Sequence, residues 1–365
     1  MKVMSIFGTR PEMIKMWGTL KKLDEYSIFE HIMVHTGQNY TPELKDFFFK
    51  DLRLREPDHY LGINTKNFSA ELSDVIIKSD DLFRKYSPDA LLILGDTYSG
   101  LSVLPAANRG IKIFHMEAGL RAWDKRMPEQ RNRILIDHIS DILLPYNNYH
   151  RENLLREGIH PSKIIVTGNT TFETMRFFQK DIDQSDILHR LGLEGSGYIL
   201  VTSHRSENVD IKANLVKIIE GLNTLASYFS DKKIYFPMHP RTESKVRGFE
   251  FARNIKITKP LGFYDFNKVA KCADCILSDS GTAAEEGIFY GIPNVTLRSA
   301  TERFETLESG STIVSGLEAK EIVNSVILAI ESGNSKSQVR YDLYENSSPS
   351  QVTINALQTR ITNHF

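Results

Sequence analysis

The run Val3-Met4-Ser5-Ile6-Phe7 breaks at Gly8 and passes through Thr9-Arg10-Pro11-Glu12 into a helical pattern. Its apolar residues do not alternate with polar ones, as expected of a parallel strand covered on both faces. Gly8 frees the turn, and Pro11 suits the first helical position, where its missing N–H would have had no partner. Arg10 and Lys15 then stand where a cation meets an anion beside a helix N-terminus; a plain helix start with surface cations uses the same residues.

Outward from this stretch the same unit recurs. Strands are expected at Val3–Phe7, Ile32–His35, Ala90–Leu94, Ile111–His115, Ile142–Pro145 and Ile164–Thr167, then at Tyr198–Thr202, Lys233–Phe236, Ile255–Thr258, Cys275–Ser278 and Asn294–Leu297. Amphipathic helices are expected between them, among others at Leu72–Lys85, Tyr149–Glu157, Ala213–Phe229 and Asn267–Cys272. Strands alternating with helices predict an α/β fold. The 365 residues suffice for two domains, and the weakest join is the polar, glycine-bearing stretch from Asp181 to Gly197. Two doubly wound, Rossmann-like domains facing a cleft follow, with ligands expected beyond the carboxyl ends of the strands.

With 45 Lys and Arg against 46 Asp and Glu, the formal net charge is −1, so no nucleic-acid partner is expected. No apolar stretch approaches the roughly 20 residues of a membrane span and no signal-like h-region opens the chain, so no membrane partner and a cytoplasmic location are expected. Cys272 and Cys275 form a C-x-x-C, but a lone pair is half a zinc site, and the flanking residues read as a helix end entering a strand; both are expected to be core thiols. His31 and His35 flank a strand, where that spacing makes no compact metal site. Neither a metal nor a cofactor is expected, since G-x-G-x-x-G after a strand, a P-loop and H-E-x-x-H are all absent.

The polar residues worth attention follow strands. Gly95-Asp96-Thr97 and His115-Met116-Glu117-Ala118-Gly119 deliver two carboxylates to one edge of the first sheet, and Glu129 follows Pro128 at a helix start, where it also suits the helix dipole. The second half offers Thr202-Ser203-His204-Arg205, Met238-His239-Pro240-Arg241 and Ser278-Asp279-Ser280-Gly281-Thr282, the last reading as a phosphate cradle at a helix start. Thr301-Glu302-Arg303 adds another cation.

Phe7-Gly8-Thr9-Arg10-Pro11-Glu12-Met13-Ile14-Lys15, Thr36-Gly37-Gln38, Gly95-Asp96-Thr97, His115-Met116-Glu117-Ala118-Gly119-Leu120-Arg121, Pro128-Glu129, Asn132-Arg133, Val166-Thr167-Gly168-Asn169-Thr170, His204-Arg205-Ser206-Glu207-Asn208, Ser278-Asp279-Ser280-Gly281 and Thr301-Glu302-Arg303 occur in this order. In them the chain resembles the non-hydrolysing UDP-N-acetylglucosamine 2-epimerase family, collinearly from the first strand to about Gly316. The resemblance implies a GT-B-like fold, with a first domain over residues 1–172 completed by a C-terminal helix at 350–365, and a UDP-binding domain over 173–349. It implies interconversion of UDP-GlcNAc and UDP-ManNAc for surface polysaccharides, in a homodimer. Carried over by position, Asp96, Glu117 and Glu129 would be acid/base carboxylates and His204 a cationic or proton-donating partner near the diphosphate. Arg10, Lys15, Ser280, Gly281, Glu286 and Arg303 match nucleotide-binding positions, and Arg205, His239 and Thr282 join them as expected UDP-sugar contacts. Carboxylates crowded at a sugar are expected to raise one another's pKa values.

Two places depart from the family pattern. Gln130 stands where most members have glutamate, and Gln38-Asn39-Tyr40-Thr41 replaces the usual Gln-His-Arg; both bear on allosteric activation by a second UDP-GlcNAc. Several segments, among them Leu54–Leu61 and Pro260–Asp265, look closer to a sister branch that forms UDP-N-acetyl-L-fucosamine from its 6-deoxy-L-talose epimer. A glycosyltransferase of the same fold, a hydrolysing epimerase and a non-catalytic sugar-nucleotide sensor are the remaining alternatives.

Overall fold

The computed structural model describes residues 1–37, 49–64, 67–124, 127–332 and 348–362. The chain divides into two compact units, Met1–Phe177 with Asp342–Phe365, and Phe178–Tyr341.

The first unit is built on six parallel strands, β1 (Lys2–Phe7), β2 (Glu30–His35), β3 (His59–Tyr60), β4 (Ala90–Leu94), β5 (Lys112–Met116) and β6 (Ile142–Leu144), in the order β3-β2-β1-β4-β5-β6. Val3 pairs with His31 on one side and Ala90 on the other, and Ile93 with His115. Every residue of β4 is buried, as a strand covered on both faces must be. On one face Met4, Ile6, Val34, Leu91, Ile93 and Ile113 pack with Phe83 and Ile136 from the helices Phe68–Tyr86 and Pro128–Ile139.

The second unit repeats the plan with β7 (Tyr198–Thr202), β8 (Lys233–Pro237), β9 (Ile255–Thr258), β10 (Cys275–Ser278), β11 (Asn294–Thr296) and β12 (Thr312–Val314), in the order β12-β11-β10-β7-β8-β9. All of its pairings are parallel. Counted from its own first strand, this is the same order as in the first unit. Val201, Phe236 and Leu277 pack with Leu222 and Leu225 of the helix Lys212–Tyr228 and with Ile322 and Val326 of the helix Ala319–Glu331. In each sheet the winding reverses between two central strands, β1 and β4 or β7 and β10, and ligand sites form at such points.

The α/β class and the two Rossmann-like sheets are as expected; details differ. The expected strand Ile164–Thr167 is an extended segment at the sheet edge, with one bridge from Ile164 to Leu143, and the chain turns away at Gly168. β3 and β12 went unread because two and three residues are too few to show a pattern. Cys275 is buried, but Cys272 is exposed, because it caps the helix Phe263–Lys271 instead of entering the strand. Gln38 to Thr41 lie outside the described residues.

The helix Pro349–Thr362 packs on Arg10–Glu25, within the first unit. Lys22 Nζ donates to Gln351 Oε1 at 3.0 Å, and Glu173 accepts the Ser350 N–H at 3.0 Å. The helices meet at Gly18, where an added Cβ would lie 2.9 Å from Glu173 Oε2 and 3.1 Å from Ser350 Cβ.

Candidate active site

In the first unit the turns after β1, β4 and β5 bring their polar residues together. Glu117, directly after β5, is buried and takes a left-handed backbone, φ +61°. Its carboxylate accepts from Lys15 Nζ, from Tyr146 Oη at 3.0 Å and from Arg133 Nη2 at 3.2 Å. Arg133 Nη2 also donates to Asp96 Oδ2, and its Nη1 donates to the Glu117 carbonyl at 2.6 Å. Asn132, beside it on the helix Pro128–Ile139, donates through Nδ2 to the Asp96 carbonyl at 3.0 Å.

Asp96 and Glu117, placed on one sheet edge by sequence reasoning, are brought together here, and Lys15, expected at the nucleotide, lies on Glu117 instead. The crowding of like charges expected there is replaced by balance: Arg133 stands between the two carboxylates and Lys15 closes on Glu117. Glu129 is half-buried in the first turn of its helix and close enough to Tyr98 to help burial and Glu71 hold that phenol's pKa above its ordinary value. Arg10 is half-buried at the first position of the helix Arg10–Glu25.

Two tiers of support lie beneath. His115 Nδ1 donates to Asp137 Oδ1 at 2.8 Å, and its Nε2 meets the Gly95 carbonyl at 2.8 Å, just before Asp96. Burial alone would raise the Asp137 pKa, but His115 and Arg121 outweigh it and hold the carboxyl below its usual range. Asp137 Oδ2 also accepts the Gly119 N–H at 3.2 Å. Gly119, φ +81°, has no room for a side chain: a Cβ would come within 2.3 Å of the His150 carbonyl oxygen. Gln130, at the family-departing position, is buried with Oε1 accepting the Ala122 N–H at 2.7 Å.

The second tier is Glu12. Its Oε2 accepts from the N–H groups of Gly8 and Thr9 at 3.1 and 2.8 Å and from Thr9 Oγ1 at 2.7 Å, while Oε1 accepts from Thr97 Oγ1 at 2.8 Å. It therefore ties the turn after β1 to the turn after β4. Burial raises its pKa from 4.5 to about 7 against the pull of these donors. A carboxyl whose pKa is raised by folding contributes stability that is present below its unfolded pKa and lost as pH climbs through the folded one. The wild type should lose on the order of 3 kcal/mol between about pH 4.5 and pH 8 relative to Glu12→Gln, whose amide can serve the same partners. Urea titrations of both proteins across that range check this; parallel pH profiles would contradict it.

In the second unit the turns after β7, β8 and β10 carry the candidates. His204 and His239 lie with ring centroids 5.5 Å apart. His239 Nδ1 accepts the Arg241 N–H at 3.1 Å, which leaves Nε2 as the ring's donor. Arg205 Nη2 approaches Glu302 Oε1 to 4.0 Å. Ser280 caps the helix Gly281–Tyr290, so that Gly281 and Thr282 open it with amides that have no partner within the helix. Glu286 is buried on that helix. Arg303 is buried behind its start, donating through Nε to the Gly281 carbonyl at 2.9 Å and pairing with Glu285 at 3.0 Å. Among the described residues no group of three or more His, Cys, Asp or Glu is arranged to hold a metal ion, and no helix is long and apolar enough to cross a membrane.

Sequence reasoning gave no role to Arg133, Tyr146, Glu12 or Asp279. Tyr146 follows β6 as the other candidates follow their strands, and that rule alone would have found it. Arg133 sits one helical turn beyond Glu129, and only the fold shows where the turn points. The arrangement in the first unit can take up and release protons around a group held against Asp96 and Glu117; that in the second can meet an anion.

The chain is similar to known proteins. The family model described as UDP-N-acetylglucosamine 2-epimerase matches residues 21–358. The chain is 36% identical over 336 residues to the UDP-N-acetylglucosamine 2-epimerase of Methanococcus maripaludis, covering 89% of this chain and 90% of that one. It is 32% identical over 329 residues to the UDP-2,3-diacetamido-2,3-dideoxy-D-glucuronate 2-epimerase of Pseudomonas aeruginosa, covering 89% and 91%. A crystal structure of the Methanocaldococcus jannaschii UDP-GlcNAc 2-epimerase in complex with UDP-GlcNAc and UDP is similar with a TM-score of 0.92 and 32% identity, over 98% of this chain and 100% of that one.

Proposed function

This chain belongs to the UDP-N-acetylglucosamine 2-epimerase family, and we propose that it interconverts UDP-GlcNAc and UDP-ManNAc with the sugar returned to UDP in every cycle. The observation that supports this most is the cluster of Asp96 and Glu117 around Arg133, with Lys15 and Tyr146 on Glu117.

The chemistry needs such a cluster. The C2 proton of the sugar has no adjacent carbonyl and is too weakly acidic for a carboxylate to remove at neutral pH. Departure of UDP supplies the activation: the C1–O bond breaks, its electron pair goes to the diphosphate, C1 gains oxocarbenium character and the C2 proton is lost to a carboxylate. The C–H pair becomes the C1=C2 bond of 2-acetamidoglucal. In the return, a proton is delivered to the opposite face of C2 and a diphosphate oxygen attacks C1. Nothing is oxidised overall and no cofactor is consumed.

Asp96, Glu117 and Glu129 handle the proton. Arg133 and Lys15 keep the first two oriented and charge-balanced. His204, Arg205 and His239 meet the diphosphate as negative charge grows on it, with the amides of Gly281 and Thr282, at the helix start that Ser280 caps, as further donors. Glu286 accepts from the ribose hydroxyls, and Arg303 braces the helix start. The family also carries the expectation of a cytoplasmic homodimer that supplies surface-polysaccharide precursors.

Incubating UDP-GlcNAc with the enzyme in heavy water and following C2 by NMR tests the reading. Deuterium at C2 in UDP-bound GlcNAc and ManNAc is the expected result. Release of free sugar, transfer to an acceptor, or recovery of unlabelled substrate would each contradict it. The 6-deoxy-L-talose analogue run in parallel separates the sister-branch specificity, which would exchange that sugar and leave UDP-GlcNAc untouched.

A further inference from the structure

The strand order sets the turn after β7 beside the turn after β10, and one buried side chain fastens the two together. Asp279, the first residue beyond β10, is fully buried. It accepts from the His204 N–H at 3.1 Å on one oxygen and 3.0 Å on the other, from the Arg205 N–H at 3.0 Å, from Ser203 Oγ at 2.9 Å and from Asn208 Nδ2 at 3.0 Å. Asn208 Nδ2 also donates to the Leu297 carbonyl at 2.9 Å, which extends the fastening to the chain leaving β11. The imidazole of His204 has its Nδ1 3.7 Å from Asp279 Oδ1, while its side chain is 41% exposed.

A buried carboxylate is costly unless hydrogen bonds compensate it. Here three of the donors belong to the consecutive residues Ser203, His204 and Arg205, so compensation is complete only in one conformation of that turn. The negative charge also lies 3.7 Å from Nδ1 of the exposed ring. We infer that Asp279 is a positioning residue for His204: it fixes the backbone that carries the imidazole and orients the ring toward the leaving diphosphate. The first unit uses a comparable device, since Glu12 joins the turns after β1 and β4. The inference rests on the role of His204 proposed above.

Replacing Asp279 with asparagine puts an NH2 where one oxygen accepts, so the turn loses its fixed conformation. The Asp279→Asn protein, counted per UDP-binding site, should show kcat lowered by about 30- to 100-fold with KM changed by less than about threefold. Residues that act through one another are non-additive, so in a His204→Ala background the same substitution should cost less than about threefold more. A merely structural role would lower the number of binding sites and leave the cycle additive. If Asp279→Asn does not fold, Ser203→Ala, which removes one donor, should give a several-fold loss of kcat that vanishes in the His204→Ala background. A normal kcat for either variant, or full additivity, overturns the inference while an impaired His204→Ala enzyme leaves the proposed function standing. A fully active His204→Ala enzyme overturns the role of His204 and the inference with it.

Discussion

Glu117→Gln should lower turnover by about 10² or more while leaving UDP binding nearly intact. The amide has nearly the shape of the carboxylate and can keep the Tyr146 hydrogen bond, but it cannot take a proton from C2 and leaves Lys15 without its counter-charge. UDP affinity should hold because the side chain stands in the first unit's cluster, whereas the helix start and cations proposed for the nucleotide are carried by the second. Steady-state rates in both directions and calorimetry with UDP measure the two quantities. Asp96→Asn should behave likewise. Near-normal turnover in both variants would end the acid/base assignment.

Arg133→Ala should act on both stability and turnover. Arg133 is 3% exposed and touches Asp96, Glu117 and the Glu117 carbonyl. Removing one partner of a buried ion pair strands the other, at about 3 to 5 kcal/mol, and here it leaves two carboxylates facing each other across the vacated space. Urea unfolding should show a loss in that range, and turnover of the folded protein should fall by at least about 10² because neither carboxylate keeps its orientation. Arg133→Lys should recover part of the stability and little of the turnover, since an ammonium cannot present the planar fork that reaches three acceptors. A wild-type unfolding free energy in Arg133→Ala would show the bridge to be energetically idle.

Much of this was legible in the sequence because parallel strands buried on both faces write themselves as unbroken apolar runs. Ala90–Leu94 and Tyr198–Thr202 have the read and observed bounds in common. The rule that ligands collect beyond strand ends then picked out Asp96, Glu117 and His204 before any contact was known. What was lost depends on length and direction. The two residues of β3 show no periodicity, and Ile164–Thr167 is as apolar as a strand but has one neighbour at a sheet edge. Arg133 has no legible role in the sequence, because a helical arginine reads as solvated until the fold shows what stands opposite. Asp279 reads as part of a phosphate cradle; its four donors come from residues more than 70 positions away in sequence.

The positive φ at Glu117 also says what the position is kept for. Glycine adopts that backbone freely and asparagine or aspartate with little difficulty, whereas a longer side chain strains it. A lineage under pressure for durability alone would drift to one of those three. A glutamate with this backbone marks a trade in which the scaffold gives up some robustness so that an acid can reach one atom further.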